Sequence, residues 1–128
     1  MMVAGIGSRK GVTVEDVLAA IETALEAHGL AMTALSVLAT APLKRVEKAI
    51  FAAGHRLNLP VIVADAAAIE AASSATISLS GLSRDLAGTP SVSEASALAV
   101  AGRGARLLGA RTVLGQVTCA IAISGDAP

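Results

Sequence analysis

The chain has 128 residues, in which ten Lys and Arg balance ten Asp and Glu. This length suits one domain spanning residues 1–128, and the neutral charge gives no field that attracts nucleic acid or a membrane surface. One phenylalanine, with no tryptophan or tyrosine, leaves no platform for stacking bases. Because no apolar stretch reaches membrane-spanning length, we expect a cytoplasmic protein with neither nucleic acid nor membrane as a partner.

The first part of the chain predicts a strand followed by a helix. Met2–Ile6 is a short apolar run that ends in glycines, which is typical of a buried strand with a turn behind it. Apolar residues then recur at helical spacing over Val14–Ala27. Thr13 and Asp16 have the spacing of a helix start with a capping hydroxyl, and Gly29 suits a left-handed cap at the end.

The alternation continues through the middle of the chain. Leu35–Ala39 and Pro60–Val63 predict two further strands, and the apolar spacing over Pro42–Leu57 predicts a helix between them. Asp65 follows the third strand as the N-cap of a short alanine-rich helix. The stretch Ala72–Ser83 is rich in Ser, Thr and other small residues and predicts a long loop or a weak strand.

The last part of the chain predicts helices and then two strands. A short helix over Ser83–Ala87 precedes a longer one over Val92–Ala101, and Gly109–Gln116 connects strands at Leu107-Leu108 and Val117–Ile123. Strands that alternate with helices favour parallel pairing through right-handed crossovers. We therefore expect an α/β fold, a three-layer α/β/α sandwich whose mostly parallel sheet becomes mixed if the final two strands form a hairpin.

Metal and disulfide chemistry are not expected. Cys119 is the one cysteine, which excludes an internal disulfide and a cysteine-based metal site. It alternates with Val117 and Ile121 along the last strand, which predicts a small core residue and not a nucleophile. Neither His28 nor His55 has an acidic partner at a spacing typical of a catalytic triad. We expect no metal and no cofactor.

The most informative motif lies between the first strand and the first helix and reads Gly-Ile-Gly-Ser-Arg-Lys-Gly over Gly5–Gly11. It lacks the Gly-Lys-Ser/Thr ending of a Walker loop and the third glycine of a dinucleotide fingerprint. Two cations and free N–H groups at a helix start nevertheless favour an anion. A tight turn with two solvated basic side chains is the alternative.

A second motif, Gly88–Leu98, joins a turn to the later helix, with Ser91 and Glu94 at capping-box spacing. In this order, the two motifs resemble the CobE and CbiG C-terminal domain family of cobalamin biosynthesis, from about Val3 to Ile123. The resemblance is to the stand-alone form, since no separate N-terminal domain stands in this sequence. Where the family often has a lysine-rich turn before its last strand, this chain has Arg111–Gln116, with Arg111 as the substitute.

The resemblance implies a protein of cobalamin biosynthesis whose partner is a tetrapyrrole, a precorrin or corrin intermediate rich in carboxylates. We expect that the Gly5–Gly11 loop and the Ser91–Glu94 helix start bind it. Arg9 and Lys10 would pair its carboxylates. The alternative is a hydrolase of the CbiG kind that opens the lactone of a precorrin-5A intermediate, so whether the chain is an enzyme stays open. Docking on other cobalamin-pathway enzymes and a homodimer stay open too.

The candidate ligand-binding residues come from these two motifs and from the turn after the second strand. Ligands of such sheets gather beyond the carboxyl ends of the strands, which places the first motif and the turns at Thr40 and Asp65 on one rim. Helix capping alone is the competing interpretation for Thr40, Asp65, Ser91, Ser93 and Glu94. The candidates are Gly7, Ser8, Arg9, Lys10, Gly11, Thr40, Ser91, Ser93 and Glu94, and catalytic residues are not assigned.

Overall fold

The computed structural model describes residues 1–8, 11–41, 48–65, 67–69, 92–102, 104–109 and 111–124. Within them, six strands form one sheet on which three α-helices pack. The strands are β1 (Met2–Ser8), β2 (Val37–Thr40), β3 (Val61–Val63), β4 (Arg106–Leu107), β5 (Thr112–Leu114) and β6 (Val117–Ile123). The helices are α1 (Val14–Glu26), α2 (Lys48–Leu57) and α3 (Val92–Ala101), and a 3-10 turn covers Met32–Ala34.

The sheet is mixed, as the sequence predicts, with the strand order β3-β2-β1-β6-β4. It is not mostly parallel, because two of the pairings between described strands are parallel and three are antiparallel. β1, β2 and β3 run parallel, because α1 and α2 carry the chain back between them. β6 runs antiparallel to β1 over its whole length, from Ser8 opposite Val117 to Met2 opposite Ile123. Since β1 occupies one edge of β6, β4 and β5 share the other edge, and both pair with β6 antiparallel.

Two buried clusters on opposite faces of the sheet give the expected three layers. Alternation along β1 sends Ala4 and Ile6 to the face that α1 and α2 cover, and Val3 to the face that α3 covers. The first cluster is large and aliphatic, whereas the second consists mainly of Val and Ala. Helix α3 therefore lies closer to the sheet than large side chains would allow.

At Gly5, α3 lies very close to the backbone of the sheet. A Cβ built on Gly5 would overlap the backbone carbonyl of Ser93 and would lie 2.8 Å from the Cβ and the N of Ala97. Real Cβ atoms do not come this close to backbone, so only glycine fits here. Ala39 of β2 and Ala122 of β6 extend this small-residue surface under α3.

The predicted helix ends are confirmed at α1 and α3. Thr13 and Asp16 form a reciprocal capping box. Asp16 N donates to Thr13 Oγ1 at 3.1 Å, and Thr13 N donates to Asp16 Oδ2 at 3.0 Å. Beyond the other end of α1, Gly29 has a φ of +68°, as a left-handed cap requires. The predicted limits of α3 match its observed span. Asp65 also caps as predicted, because its Oδ1 accepts from Ala68 N at 2.7 Å.

Two local expectations were wrong. β1 does not stop at Ile6 but runs through Ser8, and Gly7 has no positive φ, so the tight turn expected there is absent. Gly7 instead gives room to Thr118, whose Oγ1 would lie 2.8 Å from an added Cβ. The segment Gly109–Gln116 is more than a connection, since it contains β5 and the turn that joins it to β6.

Other predictions lie outside the described residues. They are the start of the Pro42–Leu57 helix, the segment Ala72–Ser83 and the short helix over Ser83–Ala87. Among the helices that the structure describes, none is long and apolar enough to cross a membrane.

Cys119 is buried in the first cluster beside Val117 and Ile121, as the alternation predicts. Loss of hydration in this apolar setting raises the pKa of its thiol from 9.0 to about 12. The thiol is therefore protonated and shielded in the folded protein, which confirms the core assignment over a nucleophilic one.

We expect Gly5→Ala to be far more damaging than Gly7→Ala. The new methyl at position 5 meets rigid backbone of α3, and such overpacking costs about 3 kcal/mol or more of the free energy of unfolding. At position 7 it meets the Thr118 hydroxyl, a side-chain atom that can turn away, so about 1 kcal/mol is expected. Urea denaturation of both variants measures the difference, and equal losses would contradict the close packing of α3 at Gly5.

We expect Cys119 to resist iodoacetamide in the folded protein at about pH 8 and to react once urea unfolds the chain. Because the folded pKa is raised, the thiol's contribution to stability is complete below pH 9.0 and is lost as pH rises towards about 12. Cys119→Ala should lack this part of the pH dependence. Rapid alkylation of the native protein would contradict the burial.

Candidate functional site

The carboxyl ends of the three parallel strands meet at one rim of the sheet, as expected. Ala64 N, just after β3, donates to Thr40 O at 2.9 Å, and Thr40 Oγ1 donates to Ile6 O at 3.2 Å. These bonds tie the end of β3 to β2 and the end of β2 to β1. Because β6 is antiparallel to β1, its first residue lies at the same rim beside Ser8.

A cavity of about 410 Å³ opens at this rim. Because the cavity lies beyond the strand ends, residues from both faces of the sheet contribute to its walls. The β5–β6 turn and the first residue of α3 complete these walls. Its walls are Ile6, Gly7, Ser8, Thr40, Ile50, Val92, Arg111, Val113, Gly115, Gln116 and Thr118. The lining is thus part aliphatic and part polar, the usual composition of a small-molecule site.

Three hydroxyl groups line the cavity, and they differ in what they already bind. Thr40 donates to Ile6 O, and Thr118 donates to Gly7 O at 3.3 Å. Ser8 Oγ is buried and has no hydrogen-bond partner among the described residues. A buried hydroxyl without a partner is costly, so a ligand atom that bonds Ser8 would recover that loss.

One cation lines the described part of the cavity, and a buried carboxylate holds it. Arg111 Nη1 lies 3.6 Å from Oε1 of Glu94. The Glu94 side chain is 0% exposed and the Arg111 side chain is 26% exposed. The pair joins the first turn of α3 to the residue just before β5, so it fixes two walls of the cavity relative to each other.

The structure divides the candidate residues into groups. Gly7, Ser8 and Thr40 line the cavity. Ser93 and Glu94 are fully buried in α3 and are not among its lining residues. Gly11 lines a neighbouring cavity. The remaining candidates are outside the described residues, namely Arg9, Lys10 and Ser91.

That second cavity, of about 440 Å³, lies between the start of α1 and the β5–β6 turn. It shares Gly115 and Gln116 with the first cavity, so the turn separates the two. Asp16, its one charged lining residue in the described chain, is already used in the capping box of α1. The turn thus stands between two recesses of the same rim.

Sequence reasoning missed Thr118 and Gln116 as lining residues and Glu94 as the partner of Arg111. Thr118 was detectable, because alternation places it opposite the core face of Cys119 at the start of an apolar strand. Nothing in the sequence pairs Glu94 with Arg111, since their contact depends on how α3 lies on the sheet. The Glu94 spacing also suits an ordinary helix cap.

Proteins of similar sequence and structure come from one biosynthetic pathway. The family model described as cobalamin synthesis G C-terminus matches residues 2–122. Protein CobE of Sinorhizobium sp is 33% identical over 121 residues, which cover 94% of this chain and 79% of that protein. This chain is similar, too, to the crystal structure of the cobalamin biosynthesis protein chiG from Agrobacterium tumefaciens str. C58. The TM-score is 0.80 at 44% identity, over 98% of this chain and 100% of that one.

A second similar solved structure is also of a protein from this pathway. CobE, a protein from the cobalamin (vitamin B12) biosynthetic pathway, gives a TM-score of 0.83 at 33% identity, over 95% of this chain and 89% of that chain. The likeness therefore covers nearly all of the chain, in sequence and in structure.

We expect Arg111→Ala to lower the free energy of unfolding by about 3 kcal/mol, because it removes a guanidinium that pairs with the fully buried Glu94 carboxylate. The matched control is Arg56→Ala. Arg56 pairs with Glu15 at 3.4 Å, but the two side chains are 61% and 72% exposed, so a loss of no more than about 1 kcal/mol is expected. Urea denaturation compares the two, and equal losses would mean that the Glu94–Arg111 contact does not stabilise the fold.

Proposed function

The chain belongs to the family of CobE and the CbiG C-terminal domain, proteins of cobalamin biosynthesis, and from this we propose that it binds a precorrin or corrin intermediate. The site is the cavity at the carboxyl rim of the sheet. The observation that supports it is the combination of an open recess of about 410 Å³ with a buried Ser8 hydroxyl that lacks a partner among the described residues.

The walls of the cavity suit one edge of a corrin macrocycle. Such a ring is apolar and carries polar side arms around its periphery. Ile6, Ile50 and Val92 give an aliphatic wall, while Ser8 and Arg111 give hydrogen-bond donors beside it. The volume is typical of pockets for small ligands, and it holds an edge of the ring while the remainder lies over the rim.

The basic motif supplies the second part of the proposal. Arg9 and Lys10 follow Ser8 directly in sequence, and Ser8 is both the last residue of β1 and a wall of the cavity. In the proposal, these two cations pair carboxylates on arms that extend past the rim, Arg9 with bidentate geometry and Lys10 as a point charge. The proposed cellular site of this binding is the cytoplasm.

Binding is favoured over catalysis by what lines the cavity. Opening a lactone requires a general base that faces the reacting water, and stabilisation of the oxyanion that develops. In the described walls, no carboxylate or imidazole faces the cavity, and Glu94 is engaged with Arg111. We therefore propose a protein that holds the intermediate unchanged, and the hydrolase reaction becomes a distinct outcome of the test.

We expect titration of the protein with a panel of corrin-ring intermediates to shift their absorption at a stoichiometry of one ligand per chain, with unchanged ligand mass. A mass change that fits lactone opening would replace the binding proposal by the hydrolase. If no intermediate shifts, the proposal is wrong.

We expect Ser8→Ala to weaken this binding by roughly fivefold, the equivalent of one net hydrogen bond of about 1 kcal/mol, without loss of stability. Stability is kept because the removed hydroxyl has no partner among the described residues. The control is Ser36→Ala, a serine just before β2 at the opposite rim, whose Oγ accepts from Met2 N. Arg9→Ala with Lys10→Ala should weaken binding further, and unchanged binding in both variants would place the ligand elsewhere.

A further inference from the structure

The one cation in the described walls of the cavity is already paired with a carboxylate of the protein itself. Arg111 is the one charged lining residue in the described walls, and its guanidinium is paired with Glu94. Helix α3 also begins at the cavity, with Val92 in the wall, and a helix start favours a negative charge. Glu94 lies in the first turn of α3, and its carboxylate pairs with Arg111.

The threonine hydroxyls of the wall present acceptors to a ligand. Thr40 gives its proton to Ile6 O and Thr118 gives its proton to Gly7 O. A hydroxyl whose proton is engaged still has oxygen lone pairs to offer, so these two residues can bind a donor but repel a further acceptor. Ser8, Arg111 and the side-chain amide of Gln116 are donors in the same described walls.

A free carboxylate is therefore poorly matched to this cavity. It consists only of acceptors, the one cation in the described walls is already paired with Glu94, and it would lose hydration against Ile6 and Ile50. A carboxamide offers both kinds of group, since its carbonyl accepts from Arg111 or Ser8 while its NH₂ donates to Thr40 or Thr118.

We propose that the cavity selects an uncharged hydrogen-bonding arm, a carboxamide or a group with the same donors and acceptors, over a free carboxylate. Glu94 is the specificity-determining residue and acts through Arg111, which it both positions and neutralises. The identification of the arm as part of a corrin intermediate rests on the proposed function, whereas the preference itself rests on the cavity walls.

The first test uses the wild-type protein with propionamide and propionate as probes. Backbone amide shifts of Ser8, Arg111 and Thr118, followed by NMR, report binding at the cavity. We expect propionamide to bind roughly tenfold more tightly than propionate, as expected when a site leaves a ligand's polar groups unpaired. Equal affinities, tighter binding of propionate, or no shift with either probe up to its solubility limit would overturn the proposal.

The second test removes the negative charge of Glu94, the partner of Arg111. Glu94→Gln keeps the shape of the side chain and removes its charge, which leaves Arg111 free for an external anion. Propionate should then bind at least as tightly as propionamide, a reversal of roughly tenfold or more. Glu15→Gln is the matched control, because its pair with Arg56 is exposed and neither residue lines the cavity, and it should leave the preference unchanged.

A thermal melt shows whether Glu94→Gln still folds. If it does not, Glu94→Gln combined with Arg111→Gln removes both charges of the pair. That variant should bind propionamide within a few-fold of the wild type and should still disfavour propionate. A purely structural role for Glu94 would lower the affinity for both probes equally.

A pair of corrins, one with free carboxylate arms and one with the same arms amidated, separates the two proposals. Binding of both with no preference, together with no preference between the small probes, overturns the inference and leaves the proposed function standing. Selection between the small probes without binding of any corrin overturns the proposed function and leaves the preference of the cavity standing.

Discussion

The absence of a side chain at Gly5 is the constraint on which the rest of the site depends. Because the Ser93 carbonyl occupies the space that a Cβ would need, α3 rests directly on the backbone of β1. This contact sets the height of the first turn of α3 above the sheet, and that turn carries Val92 into the cavity and Glu94 towards Arg111. If α3 were displaced from the sheet by the size of one methyl group, Val92 would move away from the cavity and Glu94 would move away from Arg111.

Most of the fold can be predicted from local sequence patterns, whereas the site can be predicted only in part. The strand at Val117–Ile123, the helix at Val92–Ala101 and the capping pair at Thr13 follow from alternation, helical spacing and cap chemistry, each a property of neighbouring residues. β5 was not predicted because it has three residues, and among the described strands it pairs with β6 alone. Three residues are too few to show the alternation of apolar and polar residues that is typical of a strand.

Gly7 and Glu94 show why the site resisted prediction. A glycine between Ile6 and Ser8 favours a turn on local grounds, whereas its place in β1 is explained by Thr118, a residue far along the chain. The spacing of Glu94 fits a cap on local grounds, whereas its ion pair with Arg111 joins two separate elements. The contact of Gly7 with Thr118 and the pair of Glu94 with Arg111 are both long-range, and a single sequence contains no record of such contacts.

The position of β6 in the middle of the sheet has a consequence for biosynthesis on the ribosome. Gly7 and Thr118 are 111 positions apart, yet they are joined by a hydrogen bond between neighbouring strands. Until β6 leaves the exit tunnel, one edge of β1 has no partner among the described strands, and neither β4 nor β5 has a strand to pair with. The sheet therefore closes late, after most of the chain has been synthesised, and we expect folding to be limited by this long-range pairing rather than by its helices.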